Sequence, residues 1–365
     1  MQVAEATGIF SPPLPRQLGR LAIIAALGLA LLALSSCAGP PPDEEPPLAE
    51  GGDDLDTVDV PVRPQTKLVR IAAGGSHACA LRPSGEALCW GSNAYGESTP
   101  PTDVQFSTLS LGDLHSCGLT AAGAVHCWGA GHGEGGSEDF GQGLPPSGQV
   151  FTAIAAGGMH TCALTQAGQI SCWGNGDGSG GVADYGQASA PKEGTFVAVT
   201  AGGTHSCGLH ADGRVTCWGA GLVTDDANPD HVGQSKAPTG AFIVISAGTM
   251  HTCALDAAGA TTCWGSESAA AAADKTFLSL SAGGFTCGLS AAGSPFCWGH
   301  PGGPGSIYGD GNAPPDATFV AIAVGNLHAC GLGADHKVRC WGSSGLGETT
   351  PPAVLVRDAA LPDAG

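Results

Sequence analysis

The sequence predicts an all-β fold, a seven-bladed β-propeller, from a repeated segment, its period, and the way the segment folds back on itself. Nearly the same run of about twenty residues recurs seven times, and each copy ends Cys-Trp-Gly. The cysteines pair as Cys79 with Cys89, Cys117 with Cys127, Cys162 with Cys172, Cys207 with Cys217, Cys253 with Cys263, Cys287 with Cys297 and Cys330 with Cys340. Every pair is a Cys-x9-Cys. All seven tryptophans, Trp90, Trp128, Trp173, Trp218, Trp264, Trp298 and Trp341, follow the second cysteine. Successive first cysteines lie 38, 45, 45, 46, 34 and 43 residues apart. That period suits a four-stranded propeller blade better than the shorter solenoid repeats.

Within a unit, His77-Ala78-Cys79-Ala80-Leu81 alternates larger and small side chains, the period of a strand. Arg82-Pro83-Ser84-Gly85 then reads as a turn, as do Ala121-Ala122-Gly123, Gln166-Ala167-Gly168 and Ala211-Asp212-Gly213. Folding the hairpin about residue 84 sets Cys79 opposite Cys89, Leu81 opposite Ala87 and Trp90 opposite Ala78. Cross-strand Cβ atoms lie about 4.5–5.5 Å apart, within reach of one disulfide per hairpin. The residue after each first cysteine is Ala or Gly, which is expected to leave room for the indole against the neighbouring blade.

A glycine opens each unit (Gly74, Gly112, Gly157, Gly202, Gly248, Gly283, Gly325), read as a bend between the innermost strand and the next. After most Trp-Gly pairs comes an apolar residue, Gly, then Gln, Glu or Asp, as in Tyr95-Gly96-Glu97, Phe140-Gly141-Gln142, Tyr185-Gly186-Gln187 and Tyr308-Gly309-Asp310. The fifth unit has instead an alanine-rich bridge, Ser266 to Asp274, so one blade should be truncated on its outer side. The stretch after Trp341, Gly345-Leu346-Gly347-Glu348-Thr349-Thr350-Pro351-Pro352, mirrors the one after Trp90. Segment 343–357 is therefore expected to complete a blade begun by the N-terminal strands, closing the ring and covering sheet edges.

The pattern Ala-Gly-Gly-x-His-x-Cys-x-Leu-x5-Gly-x3-Cys-Trp-Gly resembles the repeat of the regulator of chromosome condensation family. The resemblance spans about residues 67–357 and implies a seven-bladed propeller. Cysteines replace paired hydrophobic positions of the eukaryotic pattern, which leaves the fold expectation intact and removes the nuclear one.

Arg16 and Arg20 precede an apolar run, Leu21 to Leu34, followed by Leu34-Ser35-Ser36-Cys37. This resembles a bacterial lipoprotein signal, with Cys37 as the lipidated new N-terminus. The run is too short for the roughly 20 residues that span a bilayer. Fifteen cysteines leave Cys37 alone once fourteen are paired. The alternative is a plain secretory signal with an incidental Cys37. Residues 37–63 are Pro-rich and acidic, a disordered tether. The expected organisation is a signal at 1–36, the tether at 37–63, the propeller at 64–358 and a tail at 359–365. Ala38 after Cys37 points to an outer membrane. Export favours disulfides; zinc on His77, Cys79 and Cys89 is the rival, weakened by Phe285 standing where the sixth unit would have its histidine.

No nucleophile elbow, phosphate loop or His-Glu-x-x-His motif occurs, so no catalytic, cofactor or metal residue is assigned. The histidines 77, 115, 160, 205, 251 and 328 recur once per unit, which reads as structure rather than as a single active site. Asn175-Gly176-Asp177 and Asp310-Gly311-Asn312 lack the full ligand run of a calcium loop. Residues 60–365 carry 23 acidic and 11 basic side chains, net −12, which disfavours nucleic acid and anionic lipid. The leading expectation is a monomeric, lipid-anchored scaffold at the cell envelope whose loops bind a protein or glycan. The nonrepeated stretches are 130–146, 174–191, 219–238 and 299–315, with candidate contacts Glu134, Glu138, Asp139, Tyr185, Asp225, Asp226 and His231. A second reading is an extracytoplasmic hydrolase or lyase, which needs a carboxylate pair or histidine cluster in the channel. Nucleotide exchange on a GTPase follows only from the family name, and export argues against it.

Overall fold

The computed structural model describes residues 70–133, 136–178, 183–222, 228–266, 272, 274–299 and 313–355. They form seven three-stranded antiparallel sheets, each built from strands consecutive in the chain. Blade 1 is β1 (Arg70–Ala73), β2 (His77–Leu81) and β3 (Ala87–Gly91); blade 2 is β4 (Thr108–Leu111), β5 (His115–Leu119) and β6 (Val125–Gly129). Blade 3 is β7 (Phe151–Ala156), β8 (His160–Thr165) and β9 (Ile170–Gly174); blade 4 is β10 (Ala198–Ala201), β11 (His205–Leu209) and β12 (Val215–Gly219). Blade 5 is β13 (Phe242–Ala247), β14 (His251–Asp256) and β15 (Thr261–Gly265); blade 6 is β16 (Ser279–Ala282), β17 (Thr286–Leu289) and β18 (Pro295–Trp298). Blade 7 is β19 (Ala321–Val324), β20 (His328–Leu332) and β21 (Val338–Gly342).

The hairpin register is the one the cysteine spacing predicts. Cys79 faces Cys89, Ala78 faces Trp90 and Leu81 faces Ala87. The other blades repeat it: Cys117 faces Cys127, Cys162 faces Cys172, Cys207 faces Cys217, Cys253 faces Cys263, Cys287 faces Cys297 and Cys330 faces Cys340. All seven pairs are disulfides, with Cα atoms 4.0 Å apart in each. In each bond the first cysteine is fully buried, while of the second cysteines Cys217 alone is buried and Cys89, Cys127, Cys172, Cys263, Cys297 and Cys340 are half-buried. The disulfides lie between blades. Cys79 and Cys89 pack with Leu81 beneath Trp128 of blade 2, and Cys330, Cys340 and Leu332 of blade 7 pack beneath Trp90 of blade 1. The cross-link that staples one hairpin is thus part of the apolar seam with the next.

One packing expectation is corrected. Where the residue after the first cysteine is glycine, the space beside it is taken by a phenylalanine, not by the indole alone. A Cβ on Gly118 would strike the Phe106 ring, and the same holds for Gly208 with Phe196, Gly288 with Phe277 and Gly331 with Phe319. Phe106 lies against Trp128, ring centroids 5.5 Å apart, so the seam of blades 1 and 2 is a disulfide, a phenylalanine and an indole in layers, whereas the seam of blades 7 and 1 has Leu355 in its apolar cluster and no phenylalanine.

The fourth strand expected of each blade is also replaced. The linker after Trp90 turns tightly, because Glu97 folds back to accept the Tyr95 N–H at 2.7 Å and Gly96 takes a φ of +85°. Gln142, Gln187, Gln234 and Glu348 do the same for Phe140, Tyr185, Val232 and Leu346. Prolines follow, and they cannot donate to a ladder, so a turn stands where a strand would. Each turn docks on the following blade: a Cβ on Gly129 of blade 2 would lie 3.2 Å from the Glu97 Cα. The turn at Glu348 thereby occupies the outer position of blade 1, so the two chain ends share that blade. At the inner end, Asn326 of blade 7 donates its N–H to Gly75 O at 3.3 Å, as Gly75 does to Gly112 O at 3.0 Å. The corresponding backbone bonds link every successive pair of blades around the axis.

The signal, the tether, the tail, Cys37, and most of the fifth unit's bridge lie outside the described residues.

Candidate functional site

Strands β1 and β3 run in the same direction, so the glycine bends and the linker turns emerge at the same end of every blade. That end combines the channel mouth and the variable loops. The channel is narrow, with about 80 Å³ of free volume, and is lined by one glycine bend from each blade. A Cβ on Gly112 would collide with the Gly157 carbonyl, which explains why the ring is glycine. The residue after that glycine breaks the repeat: Gly75, Gly158, Gly203 and Gly284 alternate with Asp113, Thr249 and Asn326. These three side chains meet across the channel. Asn326 Nδ2 donates to Asp113 Oδ1 at 3.0 Å, and Thr249 Oγ1 donates to Asn326 Oδ1 at 3.1 Å. Burial pushes the Asp113 carboxyl above its ordinary range, and the Asn326 bond opposes that shift. None of the three was expected from the sequence, although each is a departure from the repeat pattern.

The histidines face the seams instead. His77 Nε2 bonds Ser116 Oγ at 2.7 Å, and His115, His160, His205 and His251 reach Thr161, Ser206, Thr252 and Thr286 at 2.8, 2.8, 2.7 and 2.6 Å. The Ser116 hydroxyl donates onward to Glu97 O at 2.9 Å, so it accepts from His77, which fixes a neutral ring protonated at Nε2. Trp128 Nε1 donates to the same Glu97 oxygen at 2.9 Å. Burial lowers the histidines from 6.5 to about 4 for His77, His160, His251 and His328, and to about 3 for His115 and His205. The sixth unit swaps both halves of the contact, with Phe285 packing against Ala329. His77 is engaged by Ser116 and Cys79 by Cys89, so they do not form a ligand set, and no group of His, Cys, Asp or Glu suited to a metal occurs among the described residues.

Of the loop candidates, the structure brings Tyr185 and His231 together. Tyr185 OH donates to Asp230 Oδ2 at 2.6 Å, and His231 meets the Tyr185 ring edge-on at 5.2 Å. The bond to Asp230 raises the Tyr185 pKa. This contact couples the turns that follow blades 3 and 4. Asp139 caps its own turn through Gly133 N and Gly141 N at 3.2 and 3.3 Å, and Glu138 is half-buried beside it, accepting from Ser137 Oγ at 3.3 Å. Glu134, Asp225 and Asp226 lie outside the described residues. No helix among the described residues is long and apolar enough to cross a membrane.

Residues 68–97, 151–180, 196–222 and 319–348 match the regulator of chromosome condensation (RCC1) repeat, that is, the first, third, fourth and seventh units. No curated protein matches the chain by sequence. Among solved structures, the ectodomain of the Physcomitrella patens receptor kinase CR4 is 27% identical, with a TM-score of 0.60, covering 76% of this chain and 74% of that one. The CRINKLY WD40 ectodomain of the Arabidopsis thaliana receptor kinase ACR4 is 24% identical, with a TM-score of 0.60, covering 79% and 99%. Prp20p from Saccharomyces cerevisiae is 18% identical, with a TM-score of 0.44, covering 76% and 72%.

Proposed function

We propose that this RCC1-repeat propeller is an exported, non-enzymatic binding scaffold, anchored to the cell envelope by lipid on Cys37 and reaching outward on the tether 37–63. Its ligand is a protein or a glycan, met by the face that carries the linker turns. One observation carries the reading. Many of the side chains that recur are spent on holding blade to blade, while those that differ between units gather at one end, as Asp230 and His231 on the rim, where they meet the recurring Tyr185, and Asp113, Thr249 and Asn326 at the channel mouth. A rigid frame presenting variable polar groups is the arrangement that binding surfaces use. The disulfide in every blade fits an oxidising compartment, and the ectodomain of CR4 offers a parallel among extracellular proteins. Ala38 favours the outer membrane.

The test is capture of partners from the surface of intact cells by the oxidised protein, compared with a form in which 132–139 and 222–231 are replaced by short linkers while the docked turns at Gln142 and Gln234 are kept. A partner retained by the first and lost by the second supports the scaffold and its face. A partner held equally by both would move the binding face elsewhere, and capture of none by a folded protein would count against a scaffold.

A further inference from the structure

The three side chains that break the glycine ring leave acceptors over at the channel mouth. The Thr249 proton and one amide proton of Asn326 are taken inside the triad, by Asn326 Oδ1 at 3.1 Å and Asp113 Oδ1 at 3.0 Å. Asp113 Oδ2 then accepts from nothing among the described residues, and Thr249 Oγ1 keeps its lone pairs. Asp113 stands in no ion pair among those residues. Burial lifts its carboxyl above the ordinary range, as expected for a charge set into protein without an opposite charge beside it. All three residues are half-buried, so solvent still reaches them.

The opening lies on one side of the axis. Asp113 and Asn326, of blades 2 and 7, close over blade 1, whereas only Gly158 and Gly203 stand between Asp113 and Thr249 on the side of blades 3 and 4. The absent side chain of Gly158 leaves a notch there: a Cβ would lie 2.6 Å from Gly203 O and 3.1 Å from Asp113 Oδ2. The channel volume of about 80 Å³ admits a head group of water size. Leu114, Met159, Met250 and Leu327 follow the ring residues of blades 2, 3, 5 and 7, each half-buried, so apolar side chains adjoin the polar ring.

We propose that the channel mouth binds a primary ammonium group, the side chain of a lysine on a partner protein, with Asp113 Oδ2, Thr249 Oγ1 and the Gly203 carbonyl as its acceptors. An ammonium carries three donors on a compact head and an aliphatic stem, which matches three acceptors in a small mouth with apolar neighbours. A guanidinium suits it less, because the planar fork engages both oxygens of a carboxylate and Asn326 already holds one. A calcium ion takes about six to eight oxygens, more than the mouth offers. The net charge of −12 over residues 60–365 favours a basic partner. The inference rests on the scaffold reading and names the chemistry its face selects.

The probes are the capped tripeptide Ala-Lys-Ala and its Nε-acetyl form, added to the oxidised full chain labelled with 15N at asparagine. The Asn326 side-chain amide resonance, assigned by its loss in Asn326→Ala, should shift with the lysine peptide. That of Asn93, which bonds Thr99 on an outer turn, should stay still. The acetylated peptide, which lacks the charge, should move neither. Asp113→Asn keeps the shape and removes the charge, and should weaken the lysine peptide about tenfold or more. Thr249→Val should weaken it about threefold, and carries the test alone if Asp113→Asn does not fold. An Asn326 signal unmoved at millimolar peptide, an equal response to the acetylated form, or equal affinity for the variants would overturn the proposal. So would the same shift from potassium or calcium chloride, which would make the mouth an ion site. Tighter binding of n-butylammonium than of the peptide would overturn the assignment to a protein in favour of a free amine. The two readings fail separately, because the titration tests the mouth alone while the loop replacement leaves Asp113 in place.

Discussion

Trp90 Nε1 donates to the carbonyl oxygen of Glu348 at 2.9 Å, joining residues 258 positions apart. The same bond joins neighbouring units elsewhere, from Trp128 to Glu97 for example, so the last turn of the chain does for blade 1 what each linker does for the next blade. Leu355, just beyond it, is buried with Trp90, Leu332 and Val338. A stack of identical units has two raw edges; here the chain ends cover both.

Deleting 343–365 should therefore uncover Trp90 and the seam with blade 7. The expected result is a red-shifted tryptophan emission and loss of cooperative thermal unfolding. The milder Trp90→Phe, which keeps an aromatic ring, should lower stability by about 1–3 kcal/mol through the lost bond and volume. Denaturant titration measures both.

Replacing both cysteines of one blade, Cys162→Ala with Cys172→Ala, removes a cross-link spanning 10 positions. Chain entropy sets its contribution at about 2–3 kcal/mol. The loss should be similar in any blade, because each link closes a loop of equal length. Chemical denaturation of this variant beside one lacking Cys287 and Cys297 checks the equality.

Stability should fall in acid. The six seam histidines have folded-state pKa values of about 3 to 4, below the ordinary 6.5, so the unfolded chain binds protons first as pH drops. Their contribution is whole above pH 6.5 and is lost as pH falls from there toward 4. Each can contribute a slope of up to about 1.4 kcal/mol per pH unit. Substituting His205→Phe with Thr252→Ala, which copies the Phe285 and Ala329 pair of the sixth unit, should flatten the profile by one proton. Unfolding midpoints from about pH 7.5 to about 4.5 would show it.

Phe196→Ala should cost about 3–5 kcal/mol, as expected for a large aromatic removed from a sealed layer. Calorimetry of this variant beside one at exposed Val197 separates the seam from the surface.

The hairpins were legible because both signals are local: Cys79 and Cys89 are ten positions apart and their spacing sets the register of every residue between them. Closure at Glu348 was legible as well, since its turn copies the one at Glu97. The phenylalanine seam was not, because Phe106 precedes its strand and meets Gly118 and Trp128 of its own blade, and Cys79 and Leu81 of blade 1, only once the two blades pack together. The fourth strand was inferred from period alone, and period does not distinguish a strand from a turn stabilised by its own Glu or Gln. Asp113, Thr249 and Asn326 come together through ring closure, which brings residues 213 positions apart to 3.0 Å. Only their departure from glycine marked them in the sequence.

Whether this is an exported propeller stapled blade by blade is measured most directly by mass-spectrometric mapping of its cysteines, trapped by alkylation in the cells that make it. The expected result is seven peptides linked within single hairpins, from Cys79 with Cys89 through Cys330 with Cys340, and a lipidated Cys37 at the new N-terminus. Alkylated free thiols at the hairpin cysteines, or links between different units, would contradict it.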